Sequence, residues 1–218
     1  RDVSRLLRLE HMRRDFVANV SHELRTPLTV IHGYLEMLDA DDNPEWATLL
    51  AEMRQQSQRM TRLVEDLLTL SRLDARDELP EERVAMQPLL ASLAREAEAL
   101  SGGRHRIVVE DSAGIDLRGS SRDLHSAFSN LLSNAVRYSP DGGEIVVQFL
   151  RDADGGASLT VRDTGVGIPP EHLPRLTERF YRVSTSRSRD TGGTGLGLAI
   201  VKHVLGLHDA TLDIESTL

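Results

Sequence analysis

The sequence predicts an α+β chain: an antiparallel helical hairpin that pairs with a second copy into a dimeric four-helix bundle, followed by a second domain of mixed strands and helices. Two observations carry this. Apolar residues recur at helical spacing through the first third of the chain, which holds almost no glycine. After roughly residue 83 the texture turns to β-rich runs and shorter helices punctuated by glycine, the pattern of a mixed domain.

The first stripe runs Val17, Val20, Leu24, Leu28, Ile31, Leu35, Leu38, in steps of three and four. A polar break with a turn-forming Asn-Pro, residues 39–44, separates it from Trp46, Leu49, Met53, Met60, Leu63, Leu67 and Leu70. Two such helices make a hairpin that buries little of its own stripe, whereas two copies bury it as a bundle. The alternative is a monomeric hairpin packed on the following domain. The expected organisation is residues 1–76 as the hairpin, 77–82 as a charged linker with Pro80, and 83–218 as the second domain. There the pattern gives a helix from Pro88 to Leu100 ended by Gly102-Gly103, strands at 106–110 and 115–117, and a helix from Asp123 to Tyr138. Strands follow at 144–150 and 158–163, joined by a glycine-rich hairpin turn. A helix from Leu196 to Leu207 and a strand from Thr211 to Ser216 close the chain. The stretch from Thr164 to Thr194 is too long for an ordinary connection and reads as a lid.

Composition narrows the function. The net charge of −8 argues against a nucleic-acid-coating surface. The absence of cysteine excludes disulfides, thiolate metal sites and cysteine nucleophiles. No apolar run is long enough to span a bilayer. The chain opens on Arg1 rather than Met, so it is expected to be a soluble piece whose anchor or leader lies upstream.

One polar residue breaks the helical logic. At about 100° per residue, His22 points roughly 165° away from the apolar stripe and faces water. Thr26 lies one turn on and points almost the same way, and Glu23 sits beside His22. A lone surface histidine usually belongs to a solvated face. Here Pro27 sits within the helical pattern, where it removes a backbone hydrogen bond and typically costs ~3 kcal/mol. Glu23 is placed to hold one imidazole nitrogen and leave the other free to attack.

Four clusters in the second domain concern a nucleotide. Asn130 and Asn134 stand at i and i+4 on one helix face, and their carboxamide oxygens are hard ligands suited to Mg²⁺. Arg137-Tyr138 adds a cation and an aromatic face. Asp163, followed by Gly165 and Gly167, offers an acceptor for an adenine amino group and a backbone that lets a flat base approach. Gly193-Thr194-Gly195-Leu196-Gly197 opens a helix whose N-terminus suits phosphates. It lacks the Gly-Lys-Ser/Thr of a Walker loop, and it follows a loop instead of a strand, unlike a dinucleotide fingerprint. Glu178-Arg179-Phe180-Tyr181 lies in the lid with Arg187 and Arg189, whose charge suits a transferring phosphoryl group. An EF-hand reading at residues 152–163 fails, because the sixth position is not Gly and the twelfth is Asp163.

The string Ser21-His22-Glu23-Leu24-Arg25-Thr26-Pro27-Leu28 resembles the phospho-acceptor box of sensor histidine kinases. The later clusters, in this order, resemble the asparagine box, first glycine box, phenylalanine box and second glycine box of the ATP-binding domain of that family, a fold shared with Hsp90-type chaperones, type II topoisomerases and MutL. The residues flanking the acceptor box are most similar to the phosphate-regulon branch. The resemblance implies a Hsp90-like ATP-binding sandwich, His22 as phospho-acceptor, Glu23 as base or orienter, and Thr26 as phosphatase residue. It also implies Mg²⁺ on Asn130 and Asn134, adenine on Asp163 beside Gly165 and Gly167, and phosphates along Gly193, Gly195 and Gly197. Arg137, Tyr138, Arg179, Phe180, Thr194 and Leu196 would complete the ATP site. The implied partners are a second copy of the chain and the receiver domain of a response regulator, without nucleic acid. The implied location is the cytoplasmic portion of an inner-membrane sensor. The sequence departs from the family at Thr177, which replaces an aromatic, and at Asp209-Ala210, which replace glycines after His208. The closing strand of the ATP domain is expected to be clipped at Leu218. Two other readings stand beside this one: an ATP-driven conformational machine of the same nucleotide fold, and a non-catalytic dimerisation scaffold.

Overall fold

The structure, a computed structural model, describes residues 24, 25, 28–36, 46–75, 80, 82–153, 155–183 and 193–218. It divides into two compact units, Arg1–Asp77 with Ser184–Leu196, and Glu78–Val183 with Gly197–Leu218. Among the described residues no helix is long and apolar enough to cross a membrane.

The first unit contains helix α1, residues 28–36, and helix α2, Ala47–Asp74. Leu28 of α1 packs on Val64 and Leu68 of α2. The Arg54 guanidinium donates to the Leu35 carbonyl at 2.9 Å, tying the end of α1 to α2. The predicted stripes are only partly buried. Leu28, Leu35 and Leu70 are inside, but Leu24, Ile31, Trp46, Leu49, Met53 and Met60 are exposed. The reason is that α2 carries two adjacent apolar stripes. Leu50, Val64 and Leu68, each one position past a predicted residue, turn inward. A single partner helix covers about one stripe, so the other stays at the surface. Val17, Val20, Leu38 and the predicted break at 39–44 lie outside the described residues.

The second unit is an α/β sandwich. Its elements are β1 (Glu82–Val84), α3 (Met86–Ser101), β2 (His105–Asp111), β3 (Leu117–Gly119), α4 (Ser121–Tyr138), β4 (Gly143–Arg151), β5 (Ala157–Arg162) and α5 (Gly197–Leu207). A 3₁₀ turn, Pro170–Arg175, precedes α5. The main sheet has the order β2-β4-β5, with β2 parallel to β4 and β4 antiparallel to β5. Alternation on β4 sends Ile145, Val147 and Phe149 into the core. Phe128, Leu132 and Val136 of α4, Leu90 and Leu93 of α3, and Ile200 and Val204 of α5 are buried with them. The opposite face of the sheet carries the Arg106–Glu144 ion pair and the Gln148–Glu110 hydrogen bond.

Local chemistry sets the ends. Helix α3 stops at Gly102, whose left-handed φ of 58° lets its N–H return to Glu98 and Ala99. Helix α4 starts at Ser120, whose hydroxyl accepts the Asp123 N–H. The His208 ring clips α5 to this start: Nδ1–H donates to the Val204 carbonyl and Nε2 accepts the Ser120 N–H. Only glycine fits at 119, where a Cβ would stand 2.2 Å from that ring. The β4–β5 hairpin closes through Asp152 N–H to the Gly156 carbonyl, as predicted.

Two expectations are corrected. The strand predicted at 115–117 lies at Leu117–Gly119, because Asp116 is drawn away: its carboxylate accepts Met86 N–H at 3.1 Å and pairs with Arg83 at 2.6 Å. Glu82–Val84, at the end of the predicted linker, is the strand that pairs with it. Thr211–Ser216 keeps its alternation of half-buried and exposed residues but forms no strand. Ser216 holds the Ile168 N–H through its side chain, and no backbone ladder forms.

The Met86 N–H and, next, Arg83 hold the Asp116 carboxyl below the usual carboxylate range. A depressed folded value means the stabilisation is complete above the unfolded value and lost as pH falls through the folded one. Urea unfolding should therefore find Asp116→Asn less stable than the parent at neutral pH, with the gap closing below about pH 4. Asp209 occupies the left-handed region with φ 52°. Asp209→Gly should raise stability by about 0.5 kcal/mol in the same assay, the ~1 kcal/mol strain of a left-handed side chain less the chain entropy that glycine adds.

Candidate functional site

The site grows from the C-terminal half of α4. The Asn130 Nδ2 donates to the Ser126 carbonyl at 2.9 Å, one turn back. That bond fixes the amide orientation and leaves Oδ1 as a free-facing acceptor. It faces the first residue of α5, where a Cβ on Gly197 would stand 2.5 Å from Asn130 Oδ1. Glycine at 197 is thus required by the close approach of a carboxamide to a helix N-terminus, a place that suits anions. Asn134, one turn further along α4, is half-buried.

The first glycine turn leaves the end of β5 and folds back onto the end of α4. The Asp163 carboxylate is exposed and accepts the Gly165 N–H at 2.9 Å, making its own small turn. The Val166 N–H then donates to the Tyr138 carbonyl at 3.1 Å. Gly165 lies so close to that carbonyl that a Cβ would stand 2.4 Å from it. Gly167 takes φ 69° against the backbone of Thr217. Tyr138 is partly exposed at the same corner, and Arg137 precedes it on α4.

Within the second unit, the structure therefore sets Gly197 against Asn130 partway along α4, and Asp163 with Gly165 against Tyr138 at the end of the same helix. The second glycine cluster is divided. Gly193 to Leu196 belong with the first unit and Gly197 with the second. Within the first unit, the Thr194 hydroxyl donates to Asp66 at 2.6 Å and accepts the Leu196 N–H. Gly195 adopts φ 75°. Arg179 and Phe180 are exposed on the turn after the 3₁₀ segment, with Phe180 at φ 66°. That turn is held by the His172–Tyr181 hydrogen bond at 2.6 Å and by Arg175, which lies 4.2 Å over the Tyr181 ring and pairs with Glu178. Thr177, the departure from the family aromatic, accepts a hydrogen bond from Lys202 at 3.4 Å. A groove of about 410 Å³ opens beside it between Arg179, Ala199, Lys202, His203 and Leu207. Sequence reasoning missed this groove, since nothing in the local pattern sets the lid turn against α5. His22, Glu23, Thr26, Pro27, Arg187 and Arg189 lie outside the described residues.

The family model for the His Kinase A (phospho-acceptor) domain matches residues 12–76. The model for the histidine kinase-, DNA gyrase B- and HSP90-like ATPase matches residues 119–218. The chain is similar to the phosphate regulon sensor protein PhoR of Pseudomonas aeruginosa, with 58% identity over 99% of this chain and 50% of that protein. It is also similar to PhoR of Haemophilus influenzae, with 41% identity over 100% of this chain and 51% of that protein. The chain spans about half the length of these curated relatives. Among solved structures it resembles full-length ShkA in complex with AMPPNP, with TM-score 0.68, 27% identity, and 88% of this chain and 41% of that one covered. The mycobacterial sensor histidine kinase MprB matches with TM-score 0.52 and 32% identity, over 59% of this chain and 80% of that one. The two domain models, which together span most of the sequence, and the identity to sensor kinases along nearly its whole length show that the chain belongs to the two-component sensor histidine kinases.

Proposed function

We propose that this chain is the kinase core of a phosphate-regulon sensor: ATP bound to residues 83–218 phosphorylates His22 in the hairpin of residues 1–76, with 77–82 as the linker. The phosphoryl group then passes to an aspartate in the receiver domain of a response regulator. Identity to two phosphate regulon sensors along nearly the whole chain supports the pathway. The carrying observation is the Asn130 oxygen, oriented by its own helix toward the start of α5.

In this reading an unprotonated nitrogen of His22 attacks the γ-phosphorus, the N–P bond forms as the bond to ADP breaks, and Glu23 takes the imidazole proton. The oxygens of Asn130 and Asn134 are hard donors that fit Mg²⁺, which would neutralise phosphate charge during transfer. Asp163 accepts from the adenine amino group, Gly165 and Gly167 let the base approach, and Tyr138 and Arg137 border it. Gly193, Thr194, Gly195, Leu196 and Gly197 serve the phosphates, with Arg179 and Phe180 in the lid. Thr26 places the water that dephosphorylates the regulator. The working form is a homodimer: the exposed Leu24, Ile31, Leu49, Met53 and Met60 are the material for a second hairpin to cover. The membrane enters through segments upstream, and the core is cytoplasmic.

Incubation with γ-³²P-ATP should label the parent chain in an acid-labile, base-stable form and leave His22→Gln unlabelled; label of that kind on His22→Gln would remove the acceptor assignment. Steady phosphate release without phosphoprotein would instead favour the conformational-machine reading. Asn134→Ala should slow labelling by roughly ten- to a hundredfold at fixed Mg·ATP, with part of the loss recovered at high magnesium. Gly197→Ala should weaken ATP binding while leaving the melting temperature within a few degrees, because the added methyl displaces the Asn130 oxygen and not the core.

A further inference from the structure

Ser139, the residue after α4, is 2% exposed, and its hydroxyl is buried with no hydrogen-bond partner. Its backbone is held firmly. The Ser139 carbonyl accepts from His105 Nε2 at 2.6 Å and from the Gly142 N–H at 3.1 Å. A carbonyl only accepts, so the His105 proton is on Nε2, and Nδ1 accepts from the Ser101 hydroxyl at 3.0 Å. The Ser101 oxygen in turn takes the His105 N–H at 2.9 Å. Of the side chains in this buried group, those of His105 and Ser101 are paired and the Ser139 hydroxyl is not.

That hydroxyl faces the first glycine turn. A Cβ built on Gly165 would lie 2.9 Å from Ser139 Oγ and 2.7 Å from Asp163 Oδ1. The two oxygens converge on one space, which Gly165 keeps open by having no side chain. A buried hydroxyl without a partner is costly, so a working state that pairs it is favoured. The Asp163 carboxylate is exposed and free to turn, and it has acceptor capacity beyond the Gly165 N–H.

We propose that Ser139 is a positioning residue for base recognition: its hydroxyl donates to the Asp163 carboxylate when nucleotide binds, and so aims the other carboxylate oxygen at the exocyclic amino group of the base. The proposal rests on the reading of Asp163 as the adenine acceptor. A charge-assisted bond of this kind fixes a carboxylate far better than the local turn alone.

The test is affinity of the 218-residue chain for two nucleotides, ATP and the purine riboside triphosphate that lacks the 6-amino group, each by competition with a fluorescent ATP analogue. Ser139→Ala should weaken ATP roughly tenfold. It should leave the amino-free analogue within about twofold, and add no more than about twofold to the loss already present in Asp163→Asn. Equal weakening of both nucleotides by Ser139→Ala would mean that it only shapes the corner, and would overturn the proposal. So would an unchanged ATP affinity in Ser139→Ala beside a marked loss in Asp163→Asn. If Asp163→Asn itself fails to discriminate the two nucleotides, the base-reading role of Asp163 falls, and the proposal with it.

Discussion

The carbonyls of Tyr138, the last residue of α4, and of Ser139, its C-cap, anchor the segments that surround the end of that helix. The Tyr138 carbonyl receives the Val166 N–H, and the Ser139 carbonyl receives His105 and Gly142. A helix end leaves such groups without intrahelical partners, and burial makes them costly unless something meets them. Here the donors come from three separate places: the start of β2, the turn into β4, and the loop after β5. One helix terminus therefore sets the distance between the carboxamide face of α4 and the carboxylate–glycine turn. If that terminus shifted, the carboxylate–glycine turn would lose its seat on the end of α4.

The helical unit answers a different constraint. Its two helices are each apolar over a wider arc than one neighbour can cover. Leu28, Val64 and Leu68 close the seam within the chain, and the adjacent stripe is left facing outward. An exposed apolar surface of this kind marks a contact surface. The hydrophobic effect thus leaves its signature in what remains uncovered as much as in what is buried.

Much of this was legible in the sequence, for reasons that can be named. Helical periodicity located α3, α4 and α5 to within a few residues, because each buries one face and polar residues hold the other. Gly102 marked the end of α3 because only a left-handed residue closes it cheaply. Asn130, Asp163 and their glycines stood out by residue type and spacing. What the sequence did not show was partnership across distance. Asp116 belongs to the start of α3, thirty residues earlier in the chain, so the strand it was expected to join begins later. Thr211–Ser216 has a strand's alternation but no backbone edge bonded to it. Which of the two adjacent apolar stripes of α2 would meet α1 within one chain was not legible, since they look alike until a neighbour selects one. Ser139 carried no signal at all, because a serine before a proline reads as a turn, and only the folded chain shows its hydroxyl to be sealed in.

The parallel pairing of β2 with β4 has a kinetic consequence. Ile107 lies beside Ile145, so closing that ladder ties off a loop of about forty residues that includes the whole of α4. Loop closure must be met before the ladder repays it, which makes the pairing a slow, non-local event. The antiparallel helices need only a short-range contact. During synthesis the acceptor hairpin can therefore acquire its shape well before the ATP-holding fold exists, and for that interval a newly made chain presents a recipient with no donor.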